Sequence, residues 1–260
     1  MNIKIYSSKD IKQLLIVGKL AAKILEMISE YIKPGINTEE LNNICHKYIE
    51  TKNKCISATI GYKGYQHATC ISLNNIVCHG IPNYKKKLKK NDILNIDVTI
   101  KKDGYYADTS AMYIVGNKRN KGYKLCKVTQ ECLYKAISIM RDGVRLSEIG
   151  NMIQDHAKKN GYSVVKYFCG HGIGTDFHLE PQVLNFNGYN YKNDIFLKEG
   201  MCLTVEPMIN IGKHSIKILN DGWTTLTKDK SISAQWEHTL IIKKKGVIIT
   251  TIRKNEKFIG

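Results

Sequence analysis

Two stretches, Asn95-Ile96-Asp97-Val98-Thr99 and Tyr106-Ala107-Asp108-Thr109-Ser110, each set an aspartate inside a largely apolar run on either side of Lys101-Lys102-Asp103-Gly104. If the two runs form a hairpin, the loop decides whether the carboxylates meet. A two-residue loop centred on Lys102-Asp103 puts Asp97 directly opposite Asp108, and one centred on Asp103-Gly104 puts them diagonally on one face; a three-residue loop separates them. Carboxylates that share a face among apolar neighbours repel one another and lose hydration, so in ionised form they call for a cation between them. The chemistry predicted is metal binding.

Three more groups stand where a polar side chain has little structural reason to be. His171 lies in Cys169-Gly170-His171-Gly172-Ile173-Gly174, Glu206 in Thr204-Val205-Glu206-Pro207, and Glu237 in Gln235-Trp236-Glu237-His238. Four carboxylates and one imidazole are too oxygen-rich for a structural zinc and suit catalytic divalent ions such as Co, Mn, Fe, Zn or Ni. Five ligands also exceed the need of one ion. Two ions about 3.5 to 4 Å apart, sharing bridging carboxylates, fit the count and are a recurring device of hydrolases.

The elements that must carry these groups follow from periodicity. Ile11, Leu14, Leu15, Ala21, Ala22, Leu25 and Ile28 keep helical spacing behind Ser7-Ser8 and stop at Pro34-Gly35, which predicts a helix over 9–32. A second helix starts at Asn37, with Glu40 completing a capping box, and ends near Lys54. Strands are expected over 67–73, 76–81, 93–101, 105–115, 201–210 and 237–243, with turns at Asn74-Asn75 and Asp103-Gly104. Antiparallel hairpins beside helices give an α+β class. The stretch Tyr31–Ile36 with Glu40-Leu41 recurs as Ile139–Val144 with Glu148-Ile149. One such repeat predicts two related halves packed about a pseudo-twofold axis, with a site between them.

Composition bounds the rest. No apolar run reaches the length of a membrane span, and Met1 to Asp10 lacks the apolar core of a secretory signal, so a cytoplasmic protein is expected. Residues 1–260 are read as a single catalytic domain, and as a monomer. The eight cysteines are dispersed without a Cys-x-x-Cys pair and should be reduced thiols. A net charge of +17 would draw the chain toward polyanions such as ribosomal RNA, although lysine is spread over the whole length, as a broad compositional bias would also produce.

The motifs resemble those of the type I methionine aminopeptidases, of the creatinase-like "pita-bread" fold, over about Lys9 to Ile249. The matching stretches are Cys78-His79-Gly80-Ile81-Pro82, Asn95–Thr99, Asp108-Thr109-Ser110, Gly170–Gly174 with Phe177-His178, Glu206-Pro207-Met208, and Gln235 with Glu237-His238. The resemblance implies a curved antiparallel sheet between two pseudo-twofold halves. It also implies removal of the initiator methionine from nascent proteins with a small second residue, by a hydroxide held between two metal ions. Asp97, Asp108, His171, Glu206 and Glu237 match the ligands, with Asp108 and Glu237 bridging and Glu206 also shuttling a proton. His79 and His178 match the non-ligand histidines that contact the substrate, and Tyr62, Tyr65, Cys70, Phe177 and Trp223 the methionine pocket. Two departures stand out: Thr59 where many bacterial relatives have cysteine, and Thr175-Asp176 where a basic residue often follows the glycines. An X-Pro aminopeptidase or dipeptidase, and an RNA-binding protein of the same fold without catalysis, are the competing readings.

Overall fold

A computed structural model describes residues 3–116, 121–188, 194–254 and 256. The chain enters its first helix, α1 (Ser8–Ile28), through a reciprocal cap in which the Ser7 hydroxyl accepts from the Asp10 amide and the Asp10 carboxylate accepts from the Ser7 amide. Leu14, Val17, Ala21, Ala22, Leu25 and Ile28 form the buried face, and a 3-10 turn over Ser29–Tyr31 completes the helical stretch expected to reach residue 32. Gly35, at φ +96°, reverses the chain. Helix α2 (Thr38–Thr51) then starts behind Asn37, which forms the expected capping box with Glu40.

The second half repeats this plan with α3 (Lys121–Ile139), the reversing Gly143 at φ +85°, and α4 (Leu146–Lys159). The repeat extends to the hydrogen bonds. Gly35 donates to Leu88 and Leu88 to Ile36, just as Gly143 donates to Leu197 and Leu197 to Val144. The isolated bridges Asn37–Lys87 and Arg145–Phe196 are likewise counterparts. The pseudo-twofold relation inferred from two short sequence matches is therefore a relation between folded units.

Fifteen strands complete the described part: β1 (Ile56–Ser57), β2 (Cys70–Leu73), β3 (Ile76–Cys78), β4 (Ile93–Lys102), β5 (Tyr105–Ile114), β6 (Ser163–Val164), β7 (Gly170–Gly172) and β8 (Leu179–Val183). After them come β9 (Cys202–Val205), β10 (Met208–Asn210), β11 (Ile216–Ile218), β12 (Thr225–Thr227), β13 (Ser233–Gln235), β14 (His238–Ile242) and β15 (Val247–Ile249). In the first half β4 pairs with β1, β2 and β5; in the second, one sheet runs β15-β14-β9-β7-β8. Strands β13-β10-β6 and β11-β12-β3 form two smaller sheets. Every pairing between these strands is antiparallel.

The β4–β5 hairpin settles the question its loop posed. Lys102 faces Tyr105, and both Asp103 (φ +50°) and Gly104 (φ +84°) are left-handed, which is the mirror-type turn that suits two-residue hairpins. Asp97 is consequently opposite Ser110 and Asp108 opposite Thr99, the diagonal arrangement. Alternation along β4 sends Ile96 and Val98 into the core under α1 and α2 and turns Asp97 and Thr99 to the other face. A second core gathers α3 and α4 against Leu203, Val205, Ile209 and Leu240.

Two strand expectations are corrected. The run 201–210 is interrupted at Glu206-Pro207, because proline has no amide to continue the ladder; β9 joins β7 and β14, whereas β10 turns to β13 and β6. The run 76–81 ends at Cys78, where His79 adopts φ +54° and leaves extended geometry. All eight cysteines are unpaired. In the lysine run 85–90 the intervening Leu88 is buried while Lys85, Lys87, Lys89 and Lys90 are exposed. Among the described residues no helix is long and apolar enough to cross a membrane.

Candidate metal centre

Strands of both halves end at one cavity of about 360 Å³, and every residue proposed from the sequence as ligand, catalyst or pocket wall lines it. Asp97 comes from β4 and Asp108 from β5; His171 is the middle residue of β7; Glu206 follows β9, and Glu237 stands between β13 and β14. Glycine makes the histidine's position accessible. A Cβ on Gly170 would collide with the Thr204 carbonyl and one on Gly172 with the Glu180 carbonyl, so only glycine lets β7 lie this close to its neighbours.

Hydroxyls of the surrounding strands hold the candidate ligand atoms. Thr99 donates to Asp108 Oδ1 at 2.9 Å. Thr204 donates to Glu206 Oε1 at 3.0 Å, and its oxygen accepts the His171 amide, also at 3.0 Å. Because a carbonyl can only accept, the 2.9 Å contact to Gly172 O places the His171 proton on Nδ1. Nε2 is left as a lone-pair donor, 3.8 Å from both Asp108 Oδ2 and Glu206 Oε1. Donor atoms of Asp108, His171 and Glu237 all lie within 4.8 Å of one another.

Electrostatics make the protein alone an uncomfortable state. Burial pushes the carboxyls of Asp97, Glu206 and Glu237 well above the usual range, and the neighbouring carboxylates push them further; Asp108 is raised to about 7 by burial, against the Thr99 hydrogen bond that lowers it. Burial likewise pulls His171 down to about 4, so its imidazole is neutral at pH 7. Among the described residues no lysine or arginine forms an ion pair with any of these four acids. A neutral imidazole with a free nitrogen, facing convergent uncompensated carboxylates, fits a divalent metal ion.

Two more histidines look into the cavity without joining the cluster. His79 meets Phe168 and Trp223 edge-on, with ring centroids 5.1 and 6.0 Å away, and burial lowers it to about 4. His178 takes a 3.0 Å contact from the Tyr62 hydroxyl at Nδ1, lies 4.2 Å from the His171 ring, and is lowered by burial to about 3. Beside them Tyr62 packs on Phe177 at 4.7 Å and Tyr65 on Trp223 at 4.9 Å; with Cys70 they make an aromatic and sulfur-lined recess. Three histidines that do not line the cavity lie against acids instead: His46 beside Glu50, His67 beside Glu39 and His156 beside Glu131.

Some lining residues escaped sequence reasoning. Thr99 sits two positions after Asp97 on β4, so a period-two count from that acid finds it; Met208 lies beyond the break at Glu206-Pro207, where no such count holds. Lys63, Tyr167, Phe168 and Cys169 also line the cavity but lie on irregular segments, where no period gives a direction. Thr59, noted only as a departure from relatives, reaches the wall and donates to His67 O at 2.8 Å.

Comparison with known proteins gives the family. The model of metallopeptidase family M24 matches residues 12–244. A methionine aminopeptidase of Buchnera aphidicola (subsp. Schizaphis graminum) is 51% identical over 257 residues, which are 99% of this chain and 97% of that one. The crystal structure of methionine aminopeptidase from Rickettsia prowazekii superposes with a TM-score of 0.93 at 47% identity, covering 96% of this chain and all of the other. Prolidase from Pyrococcus furiosus shares the fold alone, with a TM-score of 0.77 at 20% identity, and this chain covers only 66% of it. The pita-bread α+β fold expected from the sequence is thus the observed one, and the chain belongs to metallopeptidase family M24, within its methionine aminopeptidases.

Proposed function

We propose that the chain removes the initiator methionine from nascent proteins whose second residue is small, and that Asp97, Asp108, His171, Glu206 and Glu237 hold two divalent ions for this reaction. The observation that carries the reading is the convergence of four uncompensated carboxylates and one free imidazole nitrogen from both halves of the fold on one cavity beside an aromatic recess. Bound ions would supply a water activated at neutral pH and polarise the scissile carbonyl.

The chain's own side chains do the remainder. Asp108 and Glu237, whose donor atoms approach each other where β5 meets the segment before β14, would be shared between the ions. Glu206, whose carboxyl burial inclines to hold a proton, accepts one from the attacking water and delivers it to the departing amine. His79 and His178 are neutral at pH 7 and donate ring N–H bonds to the substrate amide and to the oxyanion as charge develops there. With the Tyr62 hydroxyl donating to Nδ1, the His178 proton would stand on Nε2. Tyr62, Tyr65, Cys70, Phe177 and Trp223 receive an unbranched thioether, whose sulfur favours aromatic neighbours. The protein acts in the cytoplasm as a monomer, and its +17 charge supports a transient ribosome contact that added salt should weaken.

The test is release of free methionine from a Met-Ala-Ser peptide by metal-stripped protein before and after adding Mn, Co or Fe ions. Metal-dependent release is expected, with no cleavage of an Xaa-Pro peptide. Absence of release from folded, metal-loaded protein, or preference for Xaa-Pro, would overturn the reading.

A further inference from the structure

Behind the cavity, on the face of the strands turned away from the ligands, the end of the chain delivers a buried guanidinium. Arg253 and Glu256 follow the last strand, β15, and their side chains are 7% and 3% exposed. Arg253 Nε lies 2.7 Å from Glu256 Oε2. Glu256 Oε1 is in turn 3.3 Å from His238 Nε2 and accepts from Gln130 at 3.3 Å on α3. Thr251 anchors the same segment, through its hydroxyl 2.9 Å from His238 Nδ1 and by accepting the Thr239 amide at 3.1 Å.

What the guanidinium touches gives the network a direction. Arg253 Nη1 donates to Thr109 Oγ1 at 2.8 Å, and that hydroxyl donates to the Glu237 carbonyl, also at 2.8 Å. The guanidinium also lies 5.6 Å from the centre of the Trp236 ring, and Nη2 lies 3.4 Å from His238 Nε2. Thr109 follows Asp108; Trp236 and His238 flank Glu237. Since neighbouring side chains in extended backbone point to opposite faces, these contacts hold the backs of the two residues proposed to bridge the ions. Elsewhere the junction has one backbone bond, 3.2 Å from the Glu237 amide to Ser110, and one hydroxyl, that of Thr239, which accepts the Asp108 amide at 3.1 Å and donates to the Asp108 carbonyl at 2.7 Å. A planar guanidinium with several fixed donors suits such a junction better than a single ammonium point.

We propose that Arg253, clamped by Glu256, is a positioning residue for the metal centre, setting the distance between Asp108 and Glu237 from behind. The end of the chain is then part of the metal site without supplying a ligand. This rests on the reading that Asp108 and Glu237 hold metal, and the experiment separates the two claims.

The experiment is calorimetric titration of the metal-stripped full chain with Mn ions at a temperature where each variant is folded by circular dichroism, beside thermal melting and steady-state kinetics. The variants are Glu237→Ala, Arg253→Met, Arg253→Lys and Glu256→Gln. Arg253→Met should bind the metal ~10- to 100-fold more weakly, the range for outer-sphere partners of metal ligands. Its kcat at limiting metal should fall more than its KM changes. Arg253→Lys should recover part of the affinity, because one ammonium can reach Thr109 or Glu256 but not both. Glu256→Gln, which removes the clamp and keeps its shape, should show a smaller loss in the same direction and supplies the answer if Arg253→Met does not fold. Wild-type affinity in folded Arg253→Met and Glu256→Gln, with only a lowered melting temperature, would reduce Arg253 to an anchor of the chain end and overturn the proposal. If wild type and Glu237→Ala bind the metal equally, the ligand assignment itself falls.

Discussion

At the scale of single residues, the centre is held by hydroxyls whose absence should be felt in metal binding as well as stability. Thr204 serves two of the proposed ligands at once, accepting the His171 amide and donating to Glu206. Thr204→Val keeps the shape, leaves a buried N–H unpaired and deprives a carboxylate of a donor, at a cost of about 1–3 kcal/mol. Both the melting temperature and the metal affinity should drop, and Thr204→Ser should restore most of each; a valine variant with unchanged metal affinity would detach the hydroxyl from the site. The acids themselves predict a pH dependence for metal-free protein. Asp108 sits near 7 in the fold against about 3.9 in the unfolded chain, so between these values the folded state binds more protons. Its stability contribution is therefore greatest at low pH and is lost as pH rises through about 7. His79, His171 and His178, lowered by burial, act in the opposite sense below their unfolded value of about 6.5. Melting temperatures of stripped protein should therefore fall from about pH 7 to 8, where the acids act alone, and saturating Mn ions should flatten or reverse the trend, because metal binds the deprotonated acids and displaces their protons. A stripped protein that gains stability over this interval would show the acids to be ionised already.

At the scale of elements, much of the site's placement was legible because strands have a simple period. Alternation along β4 and β5 brings Asp97 and Asp108 to one face for either two-residue turn, while the choice among the three possible loops needed the observed pairing of Lys102 with Tyr105. The capping box at Asn37 likewise follows from the glutamate three residues on; at Arg145 only half of it forms, with Glu148 accepting the Arg145 amide at 2.9 Å, because an arginine side chain has no acceptor. What periodicity could not reach were the segments without a period: the loop that brings Tyr167 and Phe168 to the cavity wall, the left-handed turn at His79, and the chain end that buries Arg253 and Glu256. Their positions depend on tertiary partners far away in the chain. The hairpin turn offers a direct test of the legible part. Gly104, at φ +84° with open space where a Cβ would stand, should tolerate alanine at about 1 kcal/mol of stability with metal binding intact. Inserting one alanine after Gly104 should be far worse, because a one-residue slip turns Asp108 away from the cavity. Metal binding that survives the insertion would mean that the core under α1 and α2, and not the turn, sets the register.

For the whole molecule, the consequence of the repeat is that neither half owns the site. Asp97 and Asp108 come from the strands beside α1 and α2, while His171, Glu206 and Glu237 come from strands in the half that contains α3 and α4. The two cores are otherwise largely distinct clusters, meeting at Trp236, which packs on both. An ion held by ligands from both halves is a tie between two folding units, and any ligand bound only by the native state stabilises it by mass action, about 2.7 kcal/mol at a hundredfold excess over the dissociation constant. For a chain of this length that is an upward shift of very roughly 5–10 °C in melting temperature. The distribution of the effect is the more telling quantity. Hydrogen exchange should slow on metal addition in α1 and α2 as much as in α3 and α4, since opening either pair would have to release ligands of the shared centre. Slowing confined to one pair would place the ion within a single half, and would remove the physical reason for a site at the pseudo-twofold axis.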